Sequence, residues 1–559
     1  MADDKKQTTF ETPDTGSKHS ETAEDDTGLV GTKSVSYAKP RPDGKIELKD
    51  EDVWDKLGYT WSPFKKWGIL CVIFAVQVSM NLNASLYANA VGLLSEEFSI
   101  SEQAARVGQM IFLVAYAFGC ELWAPWSEEL GRWPILQASL LLVNIWQIPC
   151  ALAPNFGTIV VCRFLGGLSS AGGSVTLGMV ADMWEQHNQQ YAVAFIVLSS
   201  VGGSAVGPII GGFIQTYLNW HWNFWIQLIC GGVVQFAHFW VPETRSSVLV
   251  TREAKRRRKE GEVMLYSTAE IHGSELTPRN IILTWTRPFV MFIREPIVLW
   301  LSLLSGFSDA LIFTFLESYS PVFDQWGFND ITKGLAFIPI MIGYFLAYFS
   351  FIPFIRKDMK ARKNDPDALA PESRLYWLLW TAPLEPIGLF GFAWTSLGPP
   401  RVHWIAPLLF SSLIGIANYA IYMATIDYMV AAYGPYSASA TGGNGFARDF
   451  LAGIAAMYSV PMYKNIPGQP LEYATTILAC IGVLVVIPIY VFYFNGPAIR
   501  ARSKFAMTLE SERKEHQHRI TTVGEKARAD HIERVEEGTA GVPTKRGKKG
   551  NVVDDEKAV

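Results

Sequence analysis

Ser199-Ser-Val-Gly-Gly-Ser-Ala-Val-Gly-Pro-Ile-Ile-Gly-Gly-Phe213 stands inside a much longer apolar run, and its reading decides what kind of chain this is. Gly203, Gly207 and Gly211 recur every four residues, so on a helix they stack along one face and bare the backbone to whatever lies opposite. Pro208 removes the backbone bond to the Ser204 carbonyl, which predicts a bend where the helix is also thinnest. In water each glycine would cost such a helix roughly 1 kcal/mol and the proline about 3. In a bilayer the backbone has no alternative partner, and the helix persists if a neighbour packs into the groove. Helix packing alone accounts for a small-residue repeat, and with Gly212 the stretch also spells the narrower pattern gxxxGPxxGG.

The surroundings agree with a membrane reading. Of 559 residues 49% are hydrophobic and only 18% charged, and the mean hydropathy is positive, unlike a string of soluble domains. The charges gather at the two ends and in a few internal segments. Between them lie twelve apolar stretches, each about long enough to cross a bilayer: 67–92, 104–125, 133–153, 157–182, 191–217, 222–241, 297–320, 334–355, 375–397, 403–430, 436–462 and 471–494. The expected fold is an all-α membrane protein of twelve transmembrane helices in two six-helix bundles. Its divisions are a disordered N-terminal tail (1–66), a first bundle (67–241), a basic linker (242–296), a second bundle (297–496) and a C-terminal tail (497–559). The first 60 residues are polar and lack the short apolar core of a signal peptide, so the first span is expected to serve as the uncleaved insertion signal.

Arg252, Lys255, Arg256, Arg257, Arg258 and Lys259 crowd the start of the linker, and Arg356, Lys357, Lys360, Arg362 and Lys363 follow the eighth span. The short connections on the other side, 154–156 and 219–221, hold no Lys or Arg. The positive-inside rule therefore puts the linker and both tails in the cytoplasm. The basic run is read as a topology signal and headgroup attractor, with no nucleic-acid role. A net charge of -4 averages acidic tails over basic loops and says little about partners. The six cysteines fall in apolar runs without a CxxC pair, so neither disulfides nor a metal is expected.

Several charges stand where hydrocarbon is expected. Span four carries Arg163 in Arg163-Phe-Leu-Gly-Gly-Leu-Ser-Ser-Ala-Gly-Gly173. Inserting an arginine costs at least about 3 kcal/mol, so it must face the interior with partners, and interhelical carbonyls are one set that would serve. Asp182, near the linker end of the same span, is expected to close a loop network rather than bind cargo. Asp309 and Glu317 in span seven are eight residues apart and can share one helix face. Buried carboxyls suit reversible protonation, unless they pair quietly with arginine. Glu385 lies in span nine, and Arg448 and Asp449 in span eleven. Phe313, Phe315, Tyr319, Tyr419 and Tyr422 either line a cavity for flat or cationic molecules or simply pack. Phe313, Glu385, Tyr419, Tyr422 and Arg448 are the candidate cavity residues.

After span two, Ala124-Pro-Trp-Ser-Glu-Glu-Leu-Gly-Arg-Trp133 sets Glu128 near Gly131 and Arg132, and span six ends Pro242-Glu243-Thr244. With gxxxGPxxGG, Arg163-x-x-x-Gly167, Pro371-Glu-Ser-Arg-Leu375, Pro386-Ile-Gly-Leu-Phe390, Phe392-Ala-Trp394, His403-Trp404 and Ser437-Ala-Ser-Ala440, these motifs resemble the fungal twelve-span drug:proton antiporter branch of the major facilitator superfamily. The resemblance runs from about residue 67 to Phe505. It implies a V-shaped pair of six-helix bundles, alternating access, and export of a drug, toxin or secondary metabolite driven by inward protons. It makes Arg163, Asp309, Glu317, Glu128, Arg132 and Asp182 the proton-coupling or gating candidates, with Gly203, Gly207, Pro208, Gly211 and Gly212 as the antiporter motif. Glu128 takes the place of the loop acid, whereas Glu129 and Trp133 depart from the basic residues of the pattern. Asn81, Asn83 and Asn89 stand in span one where some antiporters carry an acid, which moves coupling elsewhere.

The expected partners are a small molecule, protons and the lipid bilayer, with no cofactor and a monomeric chain. The expected address is the plasma membrane, with the vacuolar membrane as alternative. A proton-coupled importer or facilitator of a nutrient or polyamine uses the same fold. A nontransporting receptor is a reading of another class, poorly served by a polar tail of about 60 residues. An enzyme is not expected: no His-x-x-x-His pair lies in a span, and Gly31-Thr-Lys-Ser34 lacks the order of a phosphate loop.

Overall fold

The computed structural model describes residues 45–184, 189–261, 264–272, 278–364, 369–433 and 436–503. The Gly31–Ser34 fragment, with residues 1–44 of the N-terminal tail and 504–559 of the C-terminal tail, lies outside these residues. Among the described residues, nine helices are long and apolar enough to cross a membrane. Three more complete the twelve spans: Trp222–His238, the broken pair Tyr376–Thr381 and Leu384–Thr395, and Ser437–Asn465. The first is only 17 residues long, the second is interrupted, and the third carries Arg448, Asp449 and Lys464. The expected fold is the observed one.

Local chemistry sets the ends. Ser62 caps span one (Pro63–Ser85), accepting from the Lys65 amide with Pro63 at the first helical position. Asn155 caps span four through the Thr158 amide at 2.9 Å. Span four breaks into Phe156–Ser170 and Val175–Met183 around a 3-10 turn at Ala171–Ser174. The small residues there admit neighbours: a Cβ at Gly172 would meet Ser139 Oγ at 2.2 Å, and one at Gly167 would meet the Phe112 carbonyl at 2.2 Å.

Span five (Gln190–Tyr217) packs parallel to span one in a constant register. A Cβ on Gly203 would meet Asn81, on Gly207 Ser85 and on Gly211 Asn89, so the two four-residue repeats mesh with a fixed offset. Ser85 Oγ also donates to the Gly203 carbonyl at 3.3 Å. These three glycines therefore hold the first half together. Pro208 and Gly212 point the other way, toward the second half. A Cβ on Gly212 would lie 2.5 Å from the Asp330 carbonyl, and one on Gly334 would lie 2.5 Å from the Pro208 carbonyl. The motif serves two interfaces from opposite sides of one helix.

Spans two (Val107–Glu129) and eleven (Ser437–Asn465) form the other seam between halves, packed antiparallel along their length. Gln103 donates to the Met457 carbonyl at 2.7 Å, Gly453 abuts Met110 and Leu113, Phe118 meets Phe446, and Gly442 abuts Glu121. An apolar cluster bridges the seam, with Phe112, Leu113 and Tyr116 on one side and Ala310, Phe313, Ala452 and Ala455 on the other. The halves thus meet at both faces instead of spreading in a V, because small residues on each side let the backbones approach.

Two parts of the chain differ from expectation. Residues 45–62, assigned to a disordered tail, are folded onto the linker. β1 (Ile46–Leu48) pairs in parallel with β2 (Leu265–Ser267), and Leu48, Val53 and Leu57 bury against Val250, Ala254 and Leu265. Their apolar side chains match an apolar stripe on the linker helix Ser246–Glu260, which is what orders them. In that helix Arg256 and Arg257 bond Glu253, which Lys56 also reaches at 2.7 Å, and Arg258 pairs with Glu270. The three cations hold the Glu253 carboxyl well below the usual carboxylate range, so half of the basic run is engaged within the protein. A second linker helix, Pro278–Arg294, places Phe289 against both Phe118 and Phe446 at the seam.

Neighbouring glycines separate packing from propensity. Gly203 has Asn81 Cβ and the Val78 carbonyl within 2.9 Å of a built Cβ, whereas Gly202 has nothing within 4 Å. Gly203→Ala is expected to lower the melting temperature of the purified protein, at a cost of about 1–3 kcal/mol. Gly202→Ala should raise it slightly, since alanine is the better helix former by about 1 kcal/mol.

Candidate functional site

Three clusters of charge lie at successive depths between the linker face and the opposite, far face. At the linker face, Gly131 has φ of 106°, a left-handed conformation that glycine takes without strain, and a Cβ there would strike Glu243. The turn lets Glu243 accept from the amides of Arg132 (2.9 Å), Trp133 (3.2 Å), Thr244 and Arg245 (both 2.9 Å). Arg132 reaches Asp182 at 3.0 Å and Ser127 Oγ at 2.6 Å, and Arg245 lies 3.6 Å from Asp182. Starts and ends of spans three, four and six are thereby tied together. Glu128, the expected acid, is exposed, and only its carbonyl takes part, accepting from Arg245 at 3.3 Å. Asp182 takes the pairing with Arg132 and Glu243 the amides of the turn, because the turn aims Arg132 inward and Glu128 outward.

The second half repeats this arrangement. Arg374 before span nine bonds Asp427 near the end of span ten (Ile405–Tyr433), and Glu372 receives Arg500 at the end of span twelve (Pro470–Arg500) at 2.7 and 3.0 Å. Asp427 also accepts from Gln190 Nε2 at 2.7 Å, and Tyr419 Oη donates to the Ala194 carbonyl at 2.9 Å, so span five is fastened to span ten across the halves.

At the far face, Arg106 joins Glu317 at 2.7 Å and Glu102 at 3.1 Å, with Lys464 4.0 Å from Glu102. Arg106 and Glu102 belong to the first half, Glu317 and Lys464 to the second. They line a cavity of about 370 Å³ shared with Asn89, Pro208, Asp324 and Lys333.

In the middle, Arg448 lies 3.8 Å from Asp309 and 3.7 Å from Asp449, and its guanidinium sits 4.0 Å above the Tyr422 ring. Both ion-pair distances exceed hydrogen-bond length, so the arginine is shared rather than locked. All four residues are buried.

Two candidates lie elsewhere. Arg163, 1% exposed, donates to the carbonyl of Gly108 at 3.2 Å and to the carbonyl and side chain of Asn83 at 2.9 and 2.8 Å, sandwiched between Phe112 and Tyr87. This is the carbonyl-bonding alternative, and Asn83 is its ligand. Glu385, fully buried, bonds Ser308, which Asn418 reaches at 3.1 Å, and these partners come from spans seven and ten. It lies inside the second half, not on a surface facing the first. Phe315 and Tyr319 pack on Phe392 within that half, and Tyr319 also lines the far-face cavity.

Sequence reading passed over Arg106, Glu102, Gln190, Asp427 and Glu121. A charge inside an apolar run was available as a signal for Asp427 and Glu121. Arg106, Glu102 and Gln190 sit at span ends, where charge is ordinary and only the fold pairs them.

Residues 73–457 match the family model described as Major Facilitator Superfamily. The chain is 32% identical to the transporter paaT of Penicillium rubens over 502 residues, covering 87% of this chain and 89% of that one. It is 32% identical to the transporter kojT of Aspergillus flavus (79% of each) and 35% identical to the efflux pump atB of Aspergillus terreus (68% and 81%). Among solved structures, the proton:xylose symporter XylE superposes with a TM-score of 0.54 at 17% identity, over 78% of this chain and 97% of that one.

Because Arg106 and Glu317 are buried together, removing one partner strands a charge. Arg106→Met is expected to destabilise the protein by roughly 3–5 kcal/mol, and the double variant with Glu317→Met to recover most of it. Melting temperatures of the single and double variants check this cycle.

Proposed function

The chain belongs to the major facilitator superfamily, a family of membrane transporters rather than enzymes, and on that premise we propose that it is a proton-driven exporter of small molecules of the fungal drug:proton antiporter type. The observation that carries the reading is the central group of Asp309, Asp449 and Arg448 beside Tyr422. Two carboxylates around one guanidinium leave the site one positive charge short when both are ionised. An unbalanced charge in a water-poor site costs several kcal/mol. A proton on Asp309 supplies the missing charge, and so does a cationic group on a cargo resting against the Tyr422 face. Because the two compete for one place, binding of either favours release of the other, which is the logic of exchange.

The basic linker supports placing its face, and both tails, in the cytoplasm. The two halves, 67–241 and 297–496, then rock about the seams of spans two with eleven and five with eight and ten. The clusters at Gln190–Asp427 and Arg106–Glu317 close opposite ends in turn. The efflux pump among the relatives supports the outward direction, and the plasma membrane is the address that suits it.

Accumulation of a panel of labelled apolar and cationic compounds, in cells with and without the protein and with and without a protonophore, tests this reading. Lower accumulation that the protonophore restores is the expected result, and higher accumulation would make the protein an importer. For an exported compound, Asp309→Asn should lower efflux about tenfold or more, about 1.4 kcal/mol, and flatten its dependence on external pH. A wild-type pH profile in that variant would take Asp309 out of the coupling step.

A further inference from the structure

Glu121 in span two is a carboxyl that none of the three clusters uses. It is 8% exposed, and its Oε1 has no hydrogen-bond partner among the described residues. It stands on the seam face of the helix, pressed onto span eleven at Gly442, where a Cβ would come within 2.4 Å of Oε1 and 3.0 Å of Oε2. Among the described residues, the groups around it supply no counter-charge. On its own helix stand the Cys120 thiol and the Tyr116 hydroxyl. On span eleven the charged residues nearest to Gly442 are Arg448 and Asp449, six and seven positions beyond it, with Arg448 already shared between Asp309 and Asp449, while Lys464 lies at the far-face end. From the linker helix the seam receives Phe289, while Arg287 on that helix lies over Tyr436 at 5.5 Å.

We propose that Glu121 is a proton-carrying residue, and that the linker-face end of the span two–span eleven seam closes over it only when it is neutral. An ionised carboxylate pressed against a glycine Cα, without donor or cation, would be an uncompensated buried charge. A neutral carboxyl fits the same space. Opening the seam hydrates the group and lets its proton leave to water on the linker face. Closing it on an empty site needs the proton back. The empty carrier therefore crosses its closed state only in the protonated form, and a donor group on a cargo takes the proton's place in the loaded form. The inference rests on the exporter reading but makes a separate demand, that the seam itself respond to pH without cargo.

The test uses full-length protein in lipid nanodiscs, with its native cysteines replaced and spin labels at Leu130→Cys and Ala438→Cys, two exposed positions at the linker-face ends of the seam. In the otherwise unaltered protein the distance should be short in acid medium and lengthen by roughly 5 Å or more in alkaline medium. Glu121→Gln should stay short throughout, and Gly442→Ala, which displaces the carboxyl, should stay long throughout. Asp309→Asn should keep the shift. A pH shift in Glu121→Gln equal to the parent's overturns the proposal, as does a parent that does not move. If Glu121→Gln fails to fold, a Gly442→Ala variant that closes normally in acid overturns it equally. Loss of the shift in Asp309→Asn but not in Glu121→Gln would move control to the central group, leaving the exporter reading intact. A Glu121-dependent shift in a protein whose efflux ignores the protonophore would overturn the exporter reading alone.

Discussion

A charge inside a bilayer must be paired, bonded to carbonyls or neutralised, and this constraint organises the whole molecule. Arg163 meets it with the carbonyls of Gly108 and Asn83 and two aromatic faces, so it builds the first half without asking for an acid. Arg106 and Glu317 meet it by pairing across the halves, which makes that contact a closure at one face. Asp309, Asp449 and Arg448 meet it incompletely, since three charges of mixed sign cannot cancel. In the proposed exporter, such an incomplete site has a use for a proton.

The second organising feature is close approach of backbones. Span five carries glycines on one side for span one and Pro208 with Gly212 on the other for the segment at Asp330–Gly334. One helix thereby belongs firmly to its own half while presenting a thin face to the other. At the linker face the same economy recurs: Arg132 with Asp182 in one half has its counterpart in Arg374 with Asp427 in the other. The acid at the end of span six, Glu243, is replaced by a base, Arg500, at the end of span twelve, and its partner changes from backbone amides to Glu372. The repeat survives as geometry although the residues have exchanged sign, which hides it from a reading of the letters.

Much of the fold was legible, because a span announces itself by length and apolarity, and the glycine spacing at 203, 207 and 211 states a packed face directly. The site was legible only in part. Asp309 and Arg448 stand out as charges in apolar runs, and the structure brings them together. Glu385 stands out in the same way and belongs to the interior of one half, because sequence does not say which side of a helix faces the partner bundle. The fold of residues 45–62 onto the linker was missed because short apolar positions such as Leu48, Val53 and Leu57 read as isolated until the stripe on the helix at 246–260 is known to lie opposite.

The central claim is that the two ends of the seam between spans two and eleven close in alternation, one at each face, and locking each end tests it most directly. Cysteine pairs at Gln103 with Met457 on the far face, and at Phe118 with Phe446 toward the linker face, would be joined by a short thiol-reactive linker. Efflux of an exported compound would be measured before linking, after linking and after cleaving the linker. The account predicts that either link alone abolishes efflux and that cleavage restores it. Sustained efflux with either end of the seam fully linked would contradict the account.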